Sequence, residues 1–274
     1  MIKLDTQDYL QAVPVFKQMD NHLAVSAVLH GSARGSVYTD SAETPTSALI
    51  IVRYRLYLAG NAYNTTFLQD LRRLFQDVIF PQAKAAGQEG FVLEYEDSSW
   101  EPAIQNEIFK GCTLYAHARQ YYELDLNKDD LPSAPPLPAG LDLRRVDRSL
   151  LDALDAGGRE ALIEEMMSER ESVDDFLDHS FGFSIVDGKR LVTWCLSEYN
   201  DGLRCEIGIA TAEAYRRRGL ATITAKAFLE HARAAGHQRI GWHCWTNNIP
   251  SAASALRLGF KKVSDTSSFF VPVS

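Results

Sequence analysis

The sequence predicts a mixed α/β protein in two parts, and three observations carry that prediction. A proline-rich stretch divides the 274 residues near their middle. Beyond it, three aromatic and β-branched runs separated by turn dipeptides lead into helical patterns that alternate with further strands. A shorter version of the same alternation can be laid over the first half. The length also exceeds the roughly 100–150 residues of a typical domain, which favours two.

The dividing stretch, LNKDDLPSAPPLPAG from Leu126 to Gly140, holds four of the ten prolines. Proline fixes φ and donates no backbone hydrogen bond, so this segment is an extended connector rather than a helix or central strand. The expected organisation is therefore an N-terminal domain over 1–126, a linker over 127–140 and a C-terminal domain over 141–274.

In the C-terminal part, LDLRRV (141–146) reads as a short strand. Helical material follows from about Ser149 to Asp178, with a break expected at Gly157–Gly158. FGFSIVD, KRLVTWCLSEY and RCEIGIAT are three strands whose tight connections make them antiparallel neighbours. TAEAYRRRG then leads to ATITAKAFLEHARAAG, a run of helix formers ended by Gly236. RIGWHCWT is the next strand. Pro250 suits a first helical residue, SAASALRL continues that helix, Gly259 ends it, and FKKV with SFFVPV is expected to form a closing pair of strands.

Sliding the first half by 148 residues lays Pro102 on Pro250, Gly111 on Gly259 and GFVLEYED on QRIGWHCW. AKAAG (83–87) matches ARAAG (232–236) after a one-residue gap, so each copy reads helix, Gly, strand, turn, Pro-started helix, Gly, strand. The loop of the first copy that corresponds to YRRRGLA reads NTTFLQDL, with neither the glycine nor the arginines. A phosphate-binding loop is thus expected in the second copy alone.

Composition narrows the partners. Hydrophobic residues make up 46% and charged residues 23%, an ordinary globular balance, and the formal net charge is −8. Residues 1–139 carry 11 basic and 17 acidic groups and residues 140–274 carry 17 and 19, so neither part is a basic domain. No nucleic-acid partner is expected from such a field, which suits a cationic substrate such as an amine. MIKLDTQDYL lacks an apolar signal core and no apolar run nears the ~20 residues of a membrane helix, so no membrane partner and a cytoplasmic location are expected. Cys112, Cys195, Cys205 and Cys244 form no CxxC pair, and no metal site or disulfide framework is expected. Oligomeric state has no signature in the sequence.

The densest basic spot is YRRRGLA, Tyr215–Ala221. A strand that runs through a short loop into a helix presents unpaired N–H groups and the positive end of the helix dipole, which together hold an anion. Gly219 allows close approach of the backbone, Ala221 keeps the next turn uncrowded, and the arginine stems reach outer phosphates. An arginine-rich solvated helix start accounts for the short motif equally well, and the neighbouring elements decide.

Those elements carry a resemblance. The run EIGIAT, AEAYRRRGLA, helix, Gly, strand, TNN, helix, LGF is similar to the acetyl-CoA-binding core of the GNAT N-acetyltransferase superfamily, whose central pattern is Q/R-x-x-G-x-G/A. Arg216, Gly219 and Ala221 stand at the defining positions, and Asn248 and Gly259–Phe260 fall at the spacing of the downstream N…GF element. The likeness covers about the last 130 residues, and the N-terminal half resembles, less distinctly, the front half of a two-part subgroup. It implies a GNAT-like acyltransferase fold in the C-terminal part, a degenerate copy before it, acetyl-CoA as cosubstrate and a primary amine on a small molecule or peptide as acceptor.

Residue by residue, the resemblance implies that backbone amides of Arg217, Arg218, Gly219, Leu220, Ala221 and Thr222 hold the pyrophosphate, with side-chain contacts from Arg216 and Arg218. Freed backbone groups near Ile209 and Thr211 would pair with the pantetheine arm, and Asn248 would meet the cofactor from the opposite lip. Transfer to an amine needs that amine neutral, and an amine of pKa near 10 is mostly protonated at neutral pH, so a carboxylate should take its proton. Glu206 is the first candidate, because Ile207 and Ile209 turn it to the other face of their strand, and Glu198 is the second. Many members carry a tyrosine seven residues after the downstream Asn as the acid for the leaving thiolate. Here that position is Ala255, which leaves Tyr199 or Ser254 as substitutes. The missing acid keeps a second reading open, a non-catalytic acyl-CoA sensor or regulatory module.

Overall fold

The computed structural model describes residues 1–131 and 133–273; Pro132 of the expected linker lies outside the described residues. In chain order the strands and helices are β1 (Ile2–Lys3), α1 (Leu23–Leu29), β2 (Ser36–Thr39), β3 (Ser47–Val52), β4 (Arg55–Gly60), α2 (Thr65–Leu74), α3 (Phe80–Ala85), β5 (Gly90–Tyr95), α4 (Trp100–Ala103) and β6 (Tyr115–Asp125). Then come β7 (Asp142–Arg145), α5 (Arg148–Ala153), α6 (Ala156–Met166), α7 (Val173–His179), β8 (Gly182–Asp187), β9 (Arg190–Asp201), β10 (Arg204–Thr211), α8 (Leu220–Ala234), β11 (Arg239–Trp245), α9 (Ile249–Arg257) and β12 (Lys261–Pro272). No helix among the described residues is long and apolar enough to cross a membrane.

Contacts divide the chain into two compact units: Met1–Arg119 with the C-terminal residues from Asp265 on, and Gln120–Ser264. Within the first, strands run in the order β1-β2-β3-β4-β5-β12. β4 and β5 are parallel and are bridged by the helical stretch of α2 and α3, whereas β12 joins β5 antiparallel through Ser268–Pro272. The helices bury Leu71, Phe75, Trp100, Ile104 and Phe109 on one face of this sheet, together with Phe269 and Val271 of β12. Glu94 of β5 is buried with its carboxylate 3.2 Å from Nδ1 of His22 and 3.2 Å from a guanidinium nitrogen of Arg119.

Within the second unit the order is β6-β11-β10-β9-β8-β7. β7 to β10 form an antiparallel ladder, with tight turns joining β8 to β9 and β9 to β10 and with α5 to α7 between β7 and β8, and β10 is parallel to β11 through the α8 crossover. Alternation along β10 sorts its side chains. Cys205, Ile207 and Ile209 join Phe228, Leu229 and Trp242 in the core under α8, so Glu206 and Gly208 face the other side. A second cluster packs α5 to α7 against Leu196 and Trp194 of β9 on that other side.

Two local expectations are corrected. The helical break falls at Leu154–Asp155, ahead of Gly157–Gly158, because the Asp155 side chain accepts the Gly158 N–H at 2.7 Å and caps α6, leaving both glycines inside its first turn. FKKV and SFFVPV belong to the single strand β12, whose polar middle stays extended instead of turning. The repeated plan is otherwise present in both units: Gly87 and Gly236 follow the crossover helices, and Gly111 and Gly259 follow the helices that contain Pro102 and Pro250. Pro250 stands in the first two residues of α9, as a Pro-started helix requires, whereas α4 already opens at Trp100, two residues ahead of Pro102.

Candidate active site

The parallel ladder between β10 and β11 covers Arg204↔Arg239, Cys205↔Ile240 and Glu206↔Gly241, and ends there. Both strands continue, β10 to Thr211 and β11 to Trp245, so they part beyond Glu206 and leave backbone groups of both strands unpaired with each other. A cavity of about 860 Å³ opens in this split. Ile209, Ala210 and Thr211 line it from β10, Trp242 from β11, and Gly219, Leu220, Ala221 and Thr222 from the start of α8. Asn248, Ser251 and Ser254 close it from α9, and Arg216, Arg217 and Arg257 bring positive charge to it.

The helix start at this cavity is built to be left open. Gly219 is the N-cap residue, in the left-handed region at φ 75°, and contributes no side chain to cap the helix. A Cβ at this position would be strained and would also meet Pro135 of the linker at 3.0 Å. The first amide bonded to Gly219 is that of Ile223, at 3.2 Å to its carbonyl, so the N–H groups of Leu220, Ala221 and Thr222 are the orphans of the first turn. Arg217, with φ 61°, bends the loop into place. The corresponding helix in the first unit, α2, is capped by its own Asn64, whose side chain accepts the Phe67 N–H at 3.1 Å and donates to Asp40. The first-turn amides are thus left uncapped at α8 and met by a side chain at α2.

The arginines differ in what they touch. Arg216 Nε donates to the Thr211 carbonyl at 3.2 Å and fastens the loop to the end of β10. Arg218 lies outside the cavity lining, its guanidinium 5.4 Å from the centre of the Tyr215 ring, and Tyr215 in turn donates to Asp187 at 2.6 Å. Across the split, Asn248 accepts the Ser251 N–H at 3.2 Å and caps α9.

On the other face of the sheet the candidate carboxylates come together. A one-residue shift between β9 and β10 sets Glu206 directly opposite Glu198. The shift falls where Tyr199 adopts φ 48° and donates its N–H to Glu169 at 2.6 Å. The Glu198 carboxylate lies over Gly208, in the space that a side chain there would fill, and the stem of Glu206 lies over Gly241 beside Tyr121. Glu206 is 5% exposed. Its carboxylate is 3.4 Å from Nε2 of His243, and the His243 ring sits 4.6 Å from that of Tyr121. Burial raises the Tyr121 pKa, and the charges of Glu206 and Glu123 raise it further, so its hydroxyl remains a proton donor. Burial, with Glu206, Glu169 and Glu198 nearby, likewise pushes the Cys205 thiol well up, which disqualifies it as a nucleophile.

Of the residues singled out in the sequence, the structure gathers Glu206 and Glu198 on one face and Ile209, Thr211, Arg216, Arg217, Gly219–Thr222, Asn248 and Ser254 around the cavity. Tyr199 is buried in the bulge, 6% exposed, and Ser254 spends its hydroxyl hydrogen on the Pro250 carbonyl at 2.8 Å. Sequence reasoning missed His243, Tyr121, Ser251 and Arg257. His243 was legible in part: it shares strand parity with Gly241, the residue opposite Glu206, but that register is a tertiary fact.

The model of the GNAT acetyltransferase family matches residues 13–269. An uncharacterized N-acetyltransferase of Bacillus subtilis (strain 168) is 28% identical over 247 residues, covering 90% of this chain and 89% of its own. Among solved structures, a GCN5-related N-acetyltransferase-like protein from Streptococcus suis superposes with TM-score 0.70 at 20% identity, over 97% of this chain and 100% of its own. A tandem GNAT protein from the clavulanic acid biosynthesis pathway, solved without AcCoA, does so with TM-score 0.59 at 11% identity, over 100% of this chain and 98% of its own. These two likenesses establish the shared fold.

Proposed function

The chain belongs to the GNAT acetyltransferase family, a family of acyltransferases, and from that premise we propose that its second unit binds acetyl-CoA in the split between β10 and β11 and transfers the acetyl group to a primary amine by direct attack. The observation that carries this reading is the end of the ladder at Glu206↔Gly241, beyond which β10 and β11 part and a cavity opens between the end of β10 and the uncapped start of α8.

The residues present fit the cosubstrate. Three uncapped amides at Leu220, Ala221 and Thr222 suit a pyrophosphate, and Arg216, Arg217 and Arg257 add charge around it. Unpaired backbone at Ile209 and Thr211 suits an amide-bearing arm, and Asn248 faces it from α9. When bound, acetyl-CoA supplies an activated acyl carbon and a thiol leaving group. Glu206 takes the proton of the incoming ammonium, with His243 at 3.4 Å to orient its carboxylate and share its charge. Glu198 supplies a second negative charge that draws the cation to the sheet face. The raised pKa of Cys205 argues for direct attack over a cysteine-linked acyl enzyme.

The test is thiol release from acetyl-CoA by the purified protein across a broad panel of amines. Release that depends on the amine and saturates in both partners is expected. Saturable cofactor binding with no release across the panel would sink the enzyme reading in favour of a sensor.

A further inference from the structure

Position 255, where the family resemblance would put the acid for the leaving thiolate, is a fully buried alanine packed in the core cluster that holds Phe228, Trp242 and Phe260. A helical side chain leans toward the N-terminus of its helix, so the hydroxyl of a tyrosine at 255 would lie over the preceding turn. Ser251 stands four residues back, on the same helix face and in the cavity lining. Among the described residues its hydroxyl has one partner: the Trp242 indole Nε1–H donates to Ser251 Oγ at 3.0 Å. That bond uses a lone pair of the oxygen and leaves the Ser251 hydrogen uncommitted. Ser254, by contrast, has already spent its own on a backbone carbonyl.

We propose that Ser251 is a catalytic donor that hydrogen-bonds the departing sulfur, in place of the absent tyrosine. The inference rests on the acetyl-CoA reading above. In balance, the amine nitrogen bonds to the acyl carbon, the carbon–sulfur bond breaks, and its electron pair goes to sulfur. The first proton of the ammonium leaves through Glu206 to solvent before attack, and the second, lost by nitrogen as the amide forms, then passes to Glu206. Ser251 keeps its own proton, because a serine hydroxyl is a far weaker acid than a thiol of pKa near 8.5, and its O–H holds the thiolate charge until the proton released through Glu206 returns to sulfur by way of water. The Trp242 N–H, donating to the same oxygen, fixes the rotor and strengthens the O–H as a donor.

The experiment titrates the thiol of free CoA bound to the protein, read by thiolate ultraviolet absorbance, alongside affinity and turnover. With the unaltered protein the bound thiol should be more acidic than in solution. Ser251→Ala should return it toward the solution value, leave CoA affinity within about twofold, and lower kcat roughly ten- to a hundredfold, the worth of one hydrogen bond to a charged group. Ser251→Thr, which keeps the hydroxyl, should restore both quantities, and Trp242→Phe should shift them in the direction of Ser251→Ala. An identical bound-thiol titration in Ser251→Ala and the unaltered protein, with CoA still binding, overturns this inference and leaves the cofactor reading standing. Absence of CoA binding by the unaltered protein overturns the cofactor reading itself.

Discussion

Glu206 has a hydrogen-bonding and charge environment that explains its choice over other carboxylates. It is 5% exposed, opposite Glu198 and within reach of His243. Like charges set directly across a ladder destabilise a sheet, so this pairing is a local cost that a bound ammonium would relieve. Glu206→Gln should lower kcat on the order of a hundredfold while leaving acetyl-CoA affinity unchanged, and steady-state kinetics with calorimetry would check both. A loss of that size in Glu198→Gln, with Glu206→Gln still active, would reassign the base. The sequence made Glu206 legible because alternation with Ile207 and Ile209 turned it away from the core. The bulge at Tyr199 that brings Glu198 opposite it has no sequence signature, and His243 and Tyr121 come beside it only through the order β6-β11-β10.

Among the elements, α8 differs in chemistry at its two ends. Its N-terminus is kept open by Gly219, and Pro135 fills the space on the side where a Cβ would project. The tail carries His231, and His237 follows it, both against Phe181, with ring centroids 4.9 and 5.4 Å away. Burial lowers the pKa of each histidine; Arg145 lowers His231 further, and His231 lowers His237 further. His237 Nδ1 has no hydrogen-bond partner among the described residues, as suits a neutral ring. Because the folded-state values lie below the unfolded value of 6.5, the unfolded chain binds more protons in that window, and stability falls as pH drops below 6.5. The melting temperature of the unaltered protein should therefore fall on the acid side of neutrality, and replacing both histidines by glutamine should flatten that slope. An unchanged slope would remove these histidines from the account. Helix α8 was legible in full from its composition and Gly236, whereas the α6 start was misplaced because the cap of Asp155 outweighs the helix-breaking tendency of Gly157–Gly158.

Along the chain, the repeated plan corresponds to a parallel strand pair bridged by a helical crossover in each unit. The fate of the C-terminal residues was not legible. Ser264, Asp265, Thr266, Ser267 and Ser268 have the composition of a turn, yet they stay extended within β12, and the segment from Asp265 belongs to the first unit. There Phe269 and Val271 are buried, each worth roughly 1.5–3 kcal/mol, so a chain ending at Ser264 should lose hydrogen-exchange protection along β5. Retained protection would contradict that assignment.

The central claim is that the uncapped start of α8 seats the cofactor's pyrophosphate, and calorimetric titration with acetyl-CoA tests it most directly when the unaltered protein is compared with Ala221→Glu. An acidic residue suits the first turn of a helix, so this variant keeps its fold while placing negative charge where the anion would sit. Saturable binding by the unaltered protein, weakened at least about tenfold in an Ala221→Glu variant of unchanged melting temperature, is the predicted result. Equal affinity in the two proteins would contradict it.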